Sequence, residues 1–147
     1  MKIGLSKTDR SGRRGQAVVE FALILPLFML LLFAAIEFGR AYFELHLLAN
    51  AAREGSRVGS LLGQLEDDVS ARVDSFLTEV GFESGWTTTI QVRDPTGSPR
   101  AGGLADAVEG DRVAVTVTHD FQVMSGSLIP GFSGVLPLRG RCVFRHE

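Results

Sequence analysis

The most apolar part of the chain lies near its N-terminus. From Phe21 to Ile36 no position carries a charge, and from Ala17 to Ile36 the single charged residue is Glu20. Twenty helical residues rise about 30 Å, which matches the hydrocarbon core of a bilayer. A core helix of a soluble protein is seldom this apolar on every side. The pattern therefore predicts a helix that is inserted in a membrane.

Helical signals continue beyond the apolar run. From Arg40 to about Leu62 the chain has no proline and is rich in Ala, Leu and Glu, which favours a soluble extension of the same helix. A second helix is predicted from about Glu66 to Val80, because its apolar residues recur at helical spacing: Val69, Val73, Phe76, Leu77 and Val80.

The remainder of the chain alternates between apolar and polar positions. This period of two predicts strands over 86–92, 112–123 and 136–144. In the last strand Leu138, Cys142 and Phe144 are predicted to face the core, and Arg139, Arg141 and Arg145 to form a solvated face. We therefore expect an α+β protein: a long N-terminal transmembrane helix, its soluble extension, one further helix and a three- or four-stranded antiparallel sheet.

Charge divides the chain into a basic tip and an acidic body. Residues 1–15 carry five basic side chains and one acid, whereas residues 16–147 carry ten basic and sixteen acidic ones. The positive-inside rule places the tip in the cytoplasm and the body outside it. An acidic body argues against a nucleic-acid binder, and a single cysteine excludes an internal disulfide framework.

Motifs for catalysis are not found in the sequence. His46, His119 and His146 lie far apart and lack metal-ligand spacing, and there is no nucleophile elbow, phosphate-binding glycine loop or dinucleotide fingerprint. The sequence predicts a protein that is not an enzyme, with no metal, no cofactor and no small-molecule substrate.

A processing motif stands at the start of the apolar run. Residues 13–20 read R-R-G-Q-A-V-V-E, which resembles a type IV prepilin signal: a basic leader ending in glycine, then an apolar helix with glutamate at its fifth position. The resemblance implies that a membrane peptidase cuts after Gly15 and exposes the amine of Gln16. Gly15 would offer the peptidase an extended, unhindered backbone. Glu20 lies one helical turn from Gln16 and could pair with this amine or with that of a neighbouring subunit.

Further segments narrow the resemblance. The runs G-Q-A-V-V-E-F-A-L at 15–23, L-P at 25–26, E-F-G-R at 37–40 and A-A-R-E-G-S-R at 51–57 resemble the TadE-like (TadE/TadF/TadG) pilins of the tight-adherence (Tad/Flp) pilus. The likeness is specific over 13–60. It implies a minor pilin or pseudopilin with a pilin-like fold, acting in pilus biogenesis, surface adhesion and biofilm formation. The implied partners are a prepilin peptidase, other pilin subunits, Tad inner-membrane assembly proteins and membrane lipid.

This interpretation divides the chain into four segments. They are a cleaved basic leader (1–15), a transmembrane helix (16–39), its soluble extension (40–62) and a small extracytoplasmic α+β domain (63–147). The protein would lie in a bacterial inner membrane and, after assembly, in a surface pilus. Two alternatives stay open: an unprocessed, membrane-anchored periplasmic domain that binds a partner protein, and a secreted enzyme or binding protein cut near Ala35.

Several residues are candidates for helix packing or subunit contacts. Pro26 lacks an amide hydrogen and is expected to bend the apolar helix. Small residues recur every four positions in the soluble extension and would let another backbone approach closely: Ala51, Ala52, Gly55, Ser56 and Gly59. They face either other subunits or the chain's own sheet. Arg53, Glu54 and Arg57 are candidate subunit contacts. The apolar segment 128–132 packs either on its own core or on another subunit.

Overall fold

A computed structural model describes residues 10–82, 84–124 and 134–147, with side chains from Gly15 onward. Its elements are α1 (Arg10–Gly59), α2 (Glu66–Glu79), β1 (Trp86–Arg93), a short 3₁₀ turn (Gly103–Asp106), β2 (Arg112–Gln122) and β3 (Val135–Arg145). The predicted fold class is confirmed: a long apolar N-terminal helix, a second helix and a three-stranded antiparallel sheet give an α+β protein with a pilin-like layout. The chain forms two compact units, which divide between Glu37 and Phe38.

The N-terminal unit contains the apolar part of α1. Every residue from Gly15 to Ile36 is exposed, including large side chains such as Leu23 at 76 % and Val18 at 67 %. Among the described residues, one helix is long and apolar enough to cross a membrane. Helix α1 begins at Arg10, earlier than the predicted start near Ala17, and it continues through Pro26.

The sheet of the C-terminal unit has the strand order β1-β2-β3, with both pairs antiparallel. Val113 lies opposite Val92 of β1 and Phe144 of β3, and Val115 lies opposite Cys142. Cross-strand partners share a face, so alternate residues of all three strands form one apolar side. Of the six strand ends, two coincide with the prediction and four differ from it by one residue. This is the usual precision of such boundaries.

One face of this sheet is covered by α2 and by the part of α1 that follows Leu48. The fully buried apolar residues come from all these elements: Leu48, Ala51, Ala52, Val69, Val73, Leu77, Val113, Val115 and Val117. The opposite face of the sheet carries no helix among the described residues. The C-terminal unit is therefore a two-layer structure with helices on one side only.

Local signals fix the ends of α2. The backbone N–H of Leu65 donates to Asp68 Oδ2 at 2.9 Å, which fixes the entry to the first turn. At the other end Gly81 has φ +77°, and Phe82 N–H donates to the carbonyl of Leu77 at 2.9 Å. This left-handed turn closes the helix and favours glycine because a Cβ would be strained there.

Two of the sequence expectations need adjustment. Helix α1 ends at Gly59 rather than near Leu62. Phe144 lies on the core side by its register with Val113, but it stands near the end of the sheet and stays 39 % exposed. The segment 128–132, for which two packing partners were considered, lies outside the described residues.

Candidate processing and assembly site

The predicted processing site lies at the exposed start of the described side chains. Gly15 and Gln16 are both exposed and helical, and a Cβ at Gly15 would meet nothing within 4 Å. Space around Gly15 is therefore open. Its backbone is helical in this structure, whereas the resemblance implies that the peptidase receives it in an extended form.

Glu20 is exposed and paired with Gln16. The Gln16 side-chain amide donates from Nε2 to Glu20 Oε1 at 3.0 Å, the i,i+4 spacing of one helical turn. In the uncleaved chain this amide engages the carboxylate that the prepilin resemblance assigns to an N-terminal amine. The arrangement places the Glu20 carboxylate within reach of groups attached to residue 16.

Pro26 and its surroundings form a continuous apolar surface. Since Pro26 has no N–H, the carbonyl of Ala22 lacks its usual helical partner. The flanking side chains Leu25 and Leu27 are exposed, at 37 % and 61 %. No residue of this stretch is covered by another part of its own unit, so its surface is available to lipid or to other apolar helices.

The small residues of α1 have a different environment. Ala51, Ala52 and Ser56 are fully buried, and a Cβ at Gly55 would lie 2.7 Å from Val73 Cγ2 of α2 and 3.3 Å from Val115 Cγ1 of β2. At Gly59 it would lie 3.1 Å from both Val113 and Val69. The structure therefore places this face of α1 against the chain's own sheet and second helix.

A glycine that sequence reasoning did not single out completes this packing. A Cβ on Gly140 of β3 would collide with the backbone of Leu48 and Ala49 in α1. Ser56 Oγ donates to the carbonyl of Cys142 at 3.2 Å, two residues further along the same strand. Helix and strand thus approach to backbone distance, which only small residues on both sides allow.

The three charged candidates beside this face divide between two roles. Glu54 Oε2 accepts from Arg72 of α2 at 3.3 Å and from Arg57 at 3.5 Å. Glu54 is therefore engaged within its own chain, by a partner that the sequence did not reveal. Arg53 and Arg57 are exposed. An exposed ion pair such as the one between Arg57 and Glu54 stabilises a fold by only tenths of a kcal/mol.

A buried carboxylate just before β2 was also missed. Asp111 is fully buried and accepts two hydrogen bonds from Arg100, at 2.8 and 3.0 Å, and one from Val108 N–H at 3.1 Å. The Arg100 guanidinium holds the pKa of Asp111 below its usual value, and the backbone donor acts in the same direction. The only sequence signal was an acid after a turn glycine, which is common at strand starts.

Next to Asp111, the residues after β3 close the end of α1. His146 is buried, and its Nδ1 lies 3.2 Å from the carbonyl of Gly59. The backbone N–H of Glu147 donates to the carbonyl of Ser60 at 2.9 Å. These contacts satisfy carbonyls that the helix end would otherwise leave unpaired. His146 thus has a structural role in this fold.

Metal binding finds no support in the described part of the chain. Across 10–82, 84–124 and 134–147, no group of three or more His, Cys, Asp or Glu side chains is placed to hold an ion. Cys142 is a free, half-buried thiol on the core side of β3.

An exposed apolar helix, with a glycine and a glutamate near its start, is joined in sequence to a small α+β unit, and this layout is pilin-like. A family model described as TadE-like protein matches residues 15–57. The match confirms the resemblance and covers the processing motif and the small-residue face, though not α2 or the sheet. No curated protein and no solved structure matches the chain.

The family match and the fold together give a coarse description. Over residues 15–57 the chain is similar to TadE-like proteins, and the helix that contains this segment is long and apolar enough to cross a membrane.

Proposed function

We propose that this protein is a structural minor pilin or pseudopilin of a Tad-type pilus, processed after Gly15 and assembled through its apolar helix. One observation carries the proposal: the segment that matches the family begins at Gly15, and every residue from there to Ile36 is exposed. Such a surface needs an apolar surrounding. Lipid supplies it before assembly, and the helices of neighbouring subunits supply it in the fibre.

Processing would be a hydrolysis of the peptide bond between Gly15 and Gln16. Water adds across the bond, so the leader departs with a carboxylate on Gly15 and the mature chain starts with an amine on Gln16. Because α1 begins at Arg10, we infer that the first turns of the helix unwind in the peptidase, which the open space around Gly15 permits.

Glu20 would then guide assembly. A charged side chain costs about 3 kcal/mol at the centre of a membrane-spanning helix when it is unpaired. The new amine on residue 16 of the same chain would offset that cost before assembly, and the amine of a neighbour would offset it only when the two helices are in the correct register. Before cleavage, the hydrogen bond from the Gln16 side chain holds the Glu20 carboxylate near residue 16.

The proposed topology follows from charge. The basic residues 1–15 stay in the cytoplasm, the apolar helix crosses the inner membrane, and the C-terminal unit lies outside. Its partners would be a prepilin peptidase, Tad inner-membrane assembly proteins and other pilin subunits. The role would be structural rather than enzymatic, in pilus biogenesis, surface adhesion and biofilm formation.

The intact mass of the protein tests the processing step. We expect the chain extracted from membranes of cells that make Tad pili to have lost residues 1–15, and the same mature mass in sheared fibres. A full-length chain in both fractions would contradict the proposal and favour an unprocessed anchor that binds a partner protein. An N-terminus near Ile36 would indicate a secreted protein.

Substitution of Glu20 tests the assembly step. We expect Glu20→Gln to be cleaved as efficiently as the parent chain but to be lost from sheared fibres by at least about tenfold, since a neutral amide cannot form an ion pair with the protonated amine. Val19→Ala, an exposed neighbour on the same helix, is the matched control and should be incorporated normally. Normal incorporation of Glu20→Gln would refute the pairing role.

A further inference from the structure

The uncovered face of the sheet is strongly basic. Alternation places five exposed arginines on the side away from the helices: Arg93, Arg112, Arg139, Arg141 and Arg145. The register aligns three of them directly, because Arg112 of β2 lies opposite Arg93 of β1 and opposite Arg145 of β3. A row of like charges on directly opposed positions destabilises a sheet.

One described carboxylate lies on this face: the exposed Asp120 of β2, two residues along from Thr118, which is opposite Arg139. None of the five arginines forms an ion pair with a described carboxylate. Arg93 donates to the carbonyl of Gly97 at 2.9 Å, which leaves its charge uncompensated. Arg112 and Arg145 also border a shallow depression of about 370 Å³ together with Pro95, Gly110 and Val143. The face is thus a cationic surface with a recess that two of its arginines border.

An acidic surface lies on the other side of the same unit. The exposed part of α2 carries Asp67, Asp68, Asp74 and Glu79. The only basic residue of this helix, Arg72, contacts Glu54 of α1 instead. Because α2 packs on the face of the sheet opposite to the arginines, the two charged surfaces cannot meet within one molecule.

We propose that the arginine face of the sheet binds the acidic α2 surface of a second copy of this chain, head to tail. Each copy would keep one free basic and one free acidic surface, so the contact could repeat along a fibre rather than close on itself. The inference deepens the pilin function proposed above and rests on it for its place in a fibre, although a different part of the chain makes the contact.

Charge balance favours a second copy over a polyanion. Residues 16–147 carry more acidic than basic side chains, so their long-range field repels nucleic acid and anionic lipid. A small acidic patch avoids most of this repulsion. Salt screens charges that lie farther apart than the Debye length, so the patch interacts mainly with the nearby arginines.

Charge reversal in the full-length chain, purified in detergent, tests the contact. Two differently tagged populations are mixed, and their co-purification is measured between 50 and 500 mM NaCl. We expect the parent chain to associate about tenfold less at the higher salt. The double variants Arg112→Glu with Arg145→Glu, and Asp67→Arg with Glu79→Arg, should each lose this salt-sensitive association when mixed with themselves.

Mixing the two reversed variants with each other gives the decisive measurement. Each then presents the surface that the other needs, so association should return to within about twofold of the parent. Asn50→Glu, which adds a charge at an exposed position of α1 that belongs to neither surface, is the control and should associate like the parent. Recovery in the mixture cannot come from misfolding, because two unfolded variants do not repair each other.

Other outcomes overturn the proposal. It fails if the reversed variants associate normally, or if they remain folded and their mixture does not recover. It also fails if reversal at Arg112 and Arg145 abolishes binding to phosphatidylglycerol vesicles while copies still associate, which would indicate a membrane-facing sheet. Should the Glu variants unfold, Arg112→Gln with Arg145→Gln replaces them, and unchanged salt dependence would refute the contact.

The outcome of the charge-reversal experiment is independent of the outcome of the Glu20 experiment. Glu20→Gln leaves both charged surfaces intact, so it should keep the salt-sensitive association even where it is excluded from fibres. Failure of processing or of Glu20 pairing would therefore leave this contact standing, and failure of charge reversal would leave those steps standing.

Discussion

Two stretches of the same helix solve the burial of apolar surface in opposite ways. Between Gly15 and Ile36 the side chains are mostly large and all exposed, whereas from Leu48 to Gly59 the inward-facing ones are mostly small and buried. Small residues allow α1 to approach Gly140 of β3 to backbone distance, a fixed and specific contact. Large residues suit a surrounding such as lipid, which has no fixed shape. Side-chain size thus distinguishes the part of α1 that packs on its own chain from the part whose surface is left for lipid or other helices.

The sharpest way to break this comparison is to enlarge the closest contact. Gly140→Ala should lower the free energy of unfolding by about 2–3 kcal/mol, since its Cβ has no room beside the backbone of α1 and the strand must shift. Thermal unfolding of the full-length chain in detergent measures it. Gly39→Ala is the matched control, because that helical glycine has open space around it and alanine should stabilise α1 slightly. Equal stability of the two variants would refute the close approach.

Acidification tests the C-terminal unit alone. The pKa of Asp111 is lowered in the folded chain by its hydrogen bonds with Arg100, so its contribution is complete above the unfolded value, near 3.8, and is lost as the pH falls through the lowered value. We expect Asp111→Asn to unfold at a lower temperature at pH 7 and to lose less stability than the parent between pH 5 and 2.

The matched control for this titration is Asp67→Asn, which changes an exposed carboxylate on α2. Its unfolding temperature should follow the parent at every pH. A parent-like acid profile in Asp111→Asn would show that the buried ion pair does not govern acid stability.

A smaller effect is expected at the hydrogen bond between α1 and β3. Ser56→Ala should cost about 1 kcal/mol, because it removes the hydrogen bond from Ser56 Oγ to the carbonyl of Cys142. Denaturant unfolding of the full-length chain measures the loss. Ser60→Ala, whose hydroxyl donates to Arg57 in the same exposed turn, should cost no more than about 0.5 kcal/mol. If the two serines are equivalent, the contact with β3 contributes nothing specific.

Periodicity was sufficient to predict the elements. The spacing of Val69, Val73 and Leu77 located α2, and alternation around Val113 and Val115 located β2, because each depends on local sequence alone. The processing motif was readable for the same reason: its glycine and glutamate are five positions apart. Its roles in cleavage and assembly remain predictions, as do the four segment boundaries.

Contacts between distant residues were not predictable in this way. The partner of Glu54 is Arg72, and the partner of Gly140 is the backbone at Leu48; neither pair has a pattern in the sequence. The arginines of β3 were expected to be solvated, but only the register showed that Arg145 aligns with Arg112 and Arg93. Whether small residues faced the chain itself or another subunit needed three-dimensional packing to decide.

The close contact between α1 and β3 has a consequence for the order of biosynthesis. Ser56 and its partner Cys142 are 86 residues apart, so α1 has left the ribosome long before β3 is translated. The apolar stretch, which is translated first, can enter the bilayer while the small-residue face downstream still lacks its cover. In the proposed topology, membrane insertion would therefore precede completion of the C-terminal unit, and the nascent chain would be anchored before its last strand closes the core.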